Sequence, residues 1–351
     1  MAISVLRKKV TPEMNQAILR SFAPVPLDPY KAIAEDLRDF NAEIVSKLNS
    51  SVDVANLITG YYFRAMGKQI RPVTMLLLAR ALSHSGLRTS TVLPAQRIYA
   101  QVMEVIHTAS LVHDDVVDRG ETRRGQSAVH KVVGNRLAVL GGDYMISASS
   151  YLLSQVGDMR LMLLFSRIIE NLGRGELIQS DIKNSLSTSE EELVLTYTQK
   201  TYCKTASLIA YGCKGIGLLA QDAFSAPCYE FGKHLGLAFQ YVDDILDFVS
   251  DSKTLGKPAL NDMREGLATA PVLLALPEFP EVRDLISREF KGEGDVEQGL
   301  AVARSVGLER TRHLALLHLR KALDALTMLP QDSKAVQTLG SLARLIYERV
   351  K

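Results

Sequence analysis

Residues 111–125 read LVHDDVVDRGETRRG. Three acids, Asp114, Asp115 and Asp118, fall within five positions straight after an apolar run, and Arg123 and Arg124 follow. Upstream, Ile98, Val102, Val105, Ala109, Val112 and Val116 are spaced alternately by four and three, the stripe of a helix that buries one side. The acids therefore ride on the end of a buried helix. Carboxylates four apart on a helix are neighbours and repel, and taken out of water they need partners. The stretch is either a salt-bridged helix end or a site for cations and a highly charged anion.

A second copy bears on that choice. Residues 239–248 read FQYVDDILDF, with Asp243, Asp244 and Asp247 in the same spacing. On a helical wheel His107, Ser110, Asp114 and Asp118 share one stripe, as do Gly236, Gln240, Asp243 and Asp247. A single such triplet is ordinarily a solvated face. Two of them, each beside apolar neighbours and one followed by paired arginines, argue for a common cleft. Mg²⁺ suits it, because that ion takes one or two carboxylates and completes its octahedron with water and phosphate oxygens. Arginines add bidentate contacts to the same phosphates.

The rest of the chain is a frame for these rows. Asp28-Pro29 predicts a helix start running to about Leu48. Ser189 followed by Glu190, Glu191 and Glu192 predicts a capped helix through the 190s and 200s, and a long helix is expected from Phe224 to Val249. Breaks are expected at 86–90, 180–189, 250–261, 277–280, 291–295 and 329–333. No alternating strand pattern competes, so the fold class is all-α: an N-terminal extension over 1–27, then one domain of about a dozen helices over 28–351. The 351 residues carry a net charge of +2 with 47% hydrophobic and 23% charged residues. That balance points to neither nucleic acid nor an anionic membrane as partner. Cys203, Cys213 and Cys228 lack disulfide or zinc spacing, and no apolar run of membrane-spanning length occurs. The N-terminus MAISVLRKKV lacks a secretory apolar core. The expectation is a soluble protein, mitochondrial in a eukaryote and otherwise cytoplasmic.

With both acid motifs in view, the chain resembles the trans-polyprenyl diphosphate synthases of the farnesyl and long-chain family, from about Tyr30 to the C-terminus. DDVVD with its arginine pair and DDILD resemble the two aspartate-rich motifs. GKQIRP (67–72), KTASL (204–208) and LGKP (255–258) resemble further family motifs. The resemblance implies an isoprenoid-synthase helical bundle with a deep central cavity, usually dimeric. It implies head-to-tail joining of isopentenyl diphosphate to an allylic diphosphate, with three Mg²⁺ per site. By position, Asp114, Asp115, Asp118, Asp243, Asp244 and Asp247 would serve the metals. Lys68, Arg71, His107 and Arg124 would hold isopentenyl diphosphate, and Arg123 the allylic diphosphate. Lys204, Thr205, Gln240 and Lys257 would line the allylic site. Two positions depart from the family pattern: Met66 replaces a glycine, and Leu267 stands where a lysine is common. Both are similar to long-chain synthases that make quinone side chains.

The implied chemistry breaks an allylic C–O bond, so the departing diphosphate must be neutralised. The cation left behind needs a dry pocket, with the Thr205 hydroxyl and Gln240 carbonyl as stabilisers. No dedicated general base is evident. A helix rises about 1.5 Å per residue, so Ser110, in line with Asp114, and Ala109, off to one side, lie roughly 6–7.5 Å below it. The resemblance implies that this level is the floor of the chain pocket, where short-product members often carry bulky aromatics. The small size of Ala109 and Ser110 predicts a product of about C30–C50, with Met103 as a lower stop. The rival readings are a short-chain synthase, a class I terpene cyclase and a non-catalytic subunit of a heteromeric synthase. A cyclase would carry a different second acid motif and lack the Lys68–Arg71 pocket. A silent subunit would be expected to lose acids, and here both motifs are whole.

Overall fold

The structure is a computed structural model that describes residues 1–22, 27–64, 67–83, 91–181, 188–249 and 260–349. The expected break at 86–90, the LGKP motif with Lys257, and Met66 lie outside them.

The order is α1 (Ala2–Leu6), α2 (Pro12–Ser21), α3 (Pro29–Ala32), α4 (Ala34–Leu37), α5 (Phe40–Lys47), α6 (Asp53–Arg64), α7 (Ile70–Leu82) and α8 (Pro94–Val117). A two-residue hairpin follows, β1 (Thr122–Arg123) with β2 (Gln126–Ser127), antiparallel and in register Arg123 to Gln126. Then come α9 (Val129–Val133), α10 (Asn135–Ser154), α11 (Met159–Asp181), α12 (Glu190–Thr201), α13 (Ser207–Ala220) and α14 (Ser225–Val249). The chain ends with α15 (Asn261–Arg264), α16 (Ala270–Leu273), α17 (Val282–Ser287), α18 (Asp295–Val302), α19 (Leu308–Leu326) and α20 (Lys334–Glu348). α14 lies at the centre, packed along α13 and α19, and α8 packs along α10. No described helix is long and apolar enough to cross a membrane.

The all-α expectation holds, with the hairpin as the exception. The single helix expected from Pro29 to Leu48 is instead three short ones. Asp28 caps the first turn by accepting from the N–H groups of Tyr30 and Lys31. The backbone then leaves helical values at Ile33 (φ −125°, ψ 22°) and Asp39 (φ −111°, ψ 11°). Guanidinium groups from neighbouring helices occupy the carbonyls along the break: Arg80 donates to Ala32 at 2.9 Å and Arg97 to Asp36 at 2.6 Å. Two buried-side arginines thus stabilise a broken path that local propensity alone does not suggest.

The helix through the 190s and 200s is present, and Ser189 caps it through the Glu192 N–H. Residues Tyr202–Ala206 form a π turn between α12 and α13. Such turns stand out in otherwise α-helical runs and often mark functional positions. Glycines on two neighbouring helices let them close on this turn. A Cβ on Gly175 of α11 would lie 2.6 Å from Lys204 Cγ, and one on Gly236 of α14 would lie 2.7 Å from Ala206 Cα. The N-terminal residues pack on α19: Arg310 donates to the Lys8 carbonyl at 3.1 Å, and Asn15 to the Glu309 carbonyl at 3.1 Å.

Candidate active site

Both acid rows sit in the last turns of long helices, at the C-terminal end of α8 and near that of α14. A helix C-terminus carries partial negative charge. Acids placed there deepen a negative potential, opposite to what a stable helix end prefers, so the arrangement calls for cations.

In the first row, Asp114 and Asp118 face the charges of Lys204 and Glu176. Asp114 makes no side-chain hydrogen bond among the described residues. Burial pushes its acid up to about 6, against the pull of Lys204 and with the push of Glu176 and Asp118. Burial also raises Asp118. Asp115 does not share their outlook. It is 1% exposed and turned inward, where it accepts from Arg123 Nε at 2.9 Å and from the Tyr62 hydroxyl at 2.6 Å. The hairpin thereby fixes Arg123 beside the row.

In the second row every acid is already engaged. Asp243 pairs with Arg349 at 2.8 Å. Asp244 accepts from the Tyr197 hydroxyl, from Gln240 Nε2 at 3.1 Å and from the Ala270 N–H at 3.4 Å. Its burial raises the acid to about 6, opposed by Lys200. Asp247 caps α15, taking the N–H groups of Asn261 at 3.1 Å and Asp262 at 3.3 Å.

The lysine and threonine of the π turn lie between the rows. Lys204 Nζ pairs with Glu176 and donates to Gln179 Oε1 at 3.2 Å. Thr205 donates to Gln240 Oε1 at 2.8 Å, while Gln240 donates on to Asp244. The hydroxyl, the amide and the carboxylate form one chain that fixes which way the amide points.

A third cluster is basic. Arg71 Nη1 lies 2.9 Å from His107 Nε2. Arginine has only donors, so His107 accepts there and carries its proton on Nδ1. Burial, then the charges of Arg71, Arg124 and Arg123, hold this imidazole neutral, far below its ordinary range. Arg124 donates to the Tyr62 carbonyl at 3.1 Å and lies against Gly67. Tyr30 donates to the Lys68 carbonyl at 2.7 Å. Asp243 feels Lys68 and Arg71 as well as Arg349, so this cluster borders the second row. Lys68, Arg71, His107 and Arg124 therefore gather at the start of α7, whose N–H groups add a further pull on anions.

Among the described residues, no three His, Cys, Asp or Glu side chains converge closely enough to hold an ion alone. Sequence reasoning missed Glu176, Gln179, Tyr197, Lys200 and Arg349. Lys200 had a signal, standing four residues before Lys204. Glu176 and Gln179 share a helix face in RGELIQSD. Arg349 had none, since its place depends on how α20 packs against the bundle.

The chain matches the polyprenyl synthetase family over residues 53–303. It is 38% identical over 327 residues to the human all-trans-polyprenyl-diphosphate synthase, covering 92% of this chain and 78% of that protein. Its fold superposes on the decaprenyl diphosphate synthase of Rhodobacter capsulatus with a TM-score of 0.81 at 31% identity, over 92% of this chain and 98% of the other. It also superposes on the polyprenyl synthase of Caulobacter crescentus, solved with calcium and isoprenyl diphosphate, with a TM-score of 0.80 at 29% identity over 98% and 100%. The chain belongs to the polyprenyl synthetase family and is a long-chain trans-polyprenyl diphosphate synthase, a prenyltransferase.

Proposed function

We propose that the two acid rows serve one cleft, in which the chain extends an allylic diphosphate with isopentenyl diphosphate to about C30–C50, for a quinone side chain. One observation carries the reading: Lys204 faces Asp114 and Asp118, while its turn neighbour Thr205 is tied through Gln240 to Asp244. A single π turn thus touches both rows.

Asp114 and Asp118 would hold divalent metal on one wall, with Asp115 fixing Arg123 beside them. Asp243, Asp244 and Asp247 would serve the other wall. The metal held there would be Mg²⁺, three ions per site, and it would supply positive charge against the departing diphosphate. Arg123 and Lys204, held by Asp115 and Glu176 so that little rearrangement would accompany C–O cleavage, would grip that diphosphate, joined by Lys257 as the resemblance implies. The amide oxygen of Gln240, aimed by Thr205, would face the allylic cation. Lys68, Arg71, His107 and Arg124 would hold isopentenyl diphosphate by its charged end, leaving its double bond free to attack. His107 is neutral and hydrogen-bonded to Arg71, so it would position that arginine rather than add charge.

Ala109 is fully buried, and Met103 packs with Met75 against Gly212. Small residues above and methionines below support a deep pocket with a late stop. The chain would act as a homodimer, as the family resemblance implies, with exposed Leu140 and Tyr151 on α10 and Met159, Leu163 and Leu177 on α11 as apolar side chains that a second copy could cover. A eukaryotic chain of this kind would act in the mitochondrion.

Incubation with farnesyl or geranylgeranyl diphosphate, labelled isopentenyl diphosphate and Mg²⁺, with products sized by chromatography, tests the reading. Elongation to six or more isoprene units is expected. Hydrocarbon from farnesyl diphosphate alone would indicate a cyclase, and arrest at three or four units a short-chain enzyme.

A further inference from the structure

Lys200 belongs to none of the motifs, yet its position relates the two rows. It stands four residues before Lys204, so the two lysines are neighbours around the π turn. Its ammonium lies 4.6 Å from the centre of the Tyr197 ring, and the Tyr197 hydroxyl donates to Asp244. The charges acting on it are Asp244, Lys204, Asp262 and Glu176. Asp244 belongs to the second row. Lys204 and Glu176 pair with each other and face the first. Asp262 is the second residue of α15, whose first N–H groups are capped by the Asp247 carboxylate. Among the described residues no carboxylate closes on Lys200 as an ion pair. Its stem is half-buried and its head rests on an aromatic face, which favours a cation without occupying its N–H donors.

A half-buried ammonium among several acids, closely paired with none of them, is suited to a ligand that brings its own negative charge. We propose that Lys200 is a further diphosphate-binding residue, contacting the allylic diphosphate from the second-row side of the cleft as Lys204 does from the first. This rests on the reading of the two rows as one site. Leu267 closes a short turn onto the same region, its N–H donating to the Asp262 carbonyl at 2.8 Å. A lysine at 267 is therefore a means of returning the charge from a different backbone position.

The test is steady-state kinetics on Lys200→Met and Lys200→Arg, varying farnesyl diphosphate and isopentenyl diphosphate in turn at fixed Mg²⁺. Lys200→Met is expected to raise KM for farnesyl diphosphate about 10-fold, some 1.4 kcal/mol. KM for isopentenyl diphosphate should stay within about two-fold, and Lys200→Arg should behave like the parent. Unchanged KM for farnesyl diphosphate, or an equal rise for both substrates with a lowered melting temperature, would overturn the proposal and make Lys200 a structural counter-ion of Asp244. Adding Leu267→Lys to Lys200→Met should bring KM back towards the parent value; no recovery counts against a role for charge. If the unmutated chain fails to elongate farnesyl diphosphate, or Asp114→Asn and Asp243→Asn leave its rate intact, the reading of the site fails instead.

Discussion

Arg349 places its guanidinium 2.8 Å from Asp243 and over the Phe239 ring, 5.0 Å from its centre. The end of the chain thus supplies the counter-ion for the leading acid of the second row. A divalent cation bound at Asp243 would compete with that arginine. Arg349→Ala is expected to lower the Mg²⁺ concentration for half-maximal rate a few-fold. It should also destabilise the metal-free protein by up to about 1 kcal/mol, the range for a partly exposed pair. A rate titration with Mg²⁺ and a thermal melt check both. A higher Mg²⁺ requirement would mean that Arg349 serves substrate rather than Asp243.

Asp114 makes a signed prediction in pH. Its folded acid sits at about 6 against an ordinary 3.8. The folded state therefore holds this proton more tightly than the unfolded state does. The residue adds no penalty below pH 4, and a growing one as pH rises through 6. Asn is neutral throughout. In metal-free protein, Asp114→Asn should gain stability over the parent between pH 4 and pH 7. The shift caps the gain at about 3 kcal/mol, and partial exposure reduces it to roughly 1 kcal/mol. Melts at pH 5 and pH 7.5 in chelator measure the difference. A variant less stable than the parent at pH 7.5 would contradict the burial of this charge.

The π turn depends on two close approaches. Gly236→Val would drive a side chain into Ala206, and Gly175→Ala would press on Lys204. Either should cut kcat by about 10-fold or more, because small misplacements of positioned groups are costly. Far-ultraviolet circular dichroism of the folded variants should remain helical. Wild-type kcat in both would show that the turn does not position Lys204 and Thr205.

Much of this was legible beforehand. The stripe from Ile98 to Val116 and the repeated acids placed both rows on helices, because a 3.6-residue period and a four-residue charge spacing are local properties. The division into three helices after Pro29 was not legible, since the Arg80 and Arg97 contacts that stabilise it come from distant positions. The inward turn of Asp115 was equally hidden. Sequence alone cannot tell a carboxylate that faces a cleft from one that clamps an arginine behind it. Arg349 shows the same limit at the scale of the whole fold.

Ala109 tests the depth of the pocket. It is fully buried on α8, five residues and so about 7.5 Å below Asp114. Ala109→Phe should shorten the product by two or more isoprene units while turnover persists, seen by chromatography of the dephosphorylated prenols. A product of parental length would remove the pocket floor from this position.

The claim that both rows work on one diphosphate is tested most directly by single-turnover elongation of farnesyl diphosphate by Asp114→Asn and Asp243→Asn, across a Mg²⁺ titration. Each variant should lose about 10²–10³-fold in rate, the scale of removing one preorganised electrostatic partner, with a weakened response to Mg²⁺. If either variant keeps the parental rate and metal response, its row does not serve the reaction and the two-walled cleft is wrong.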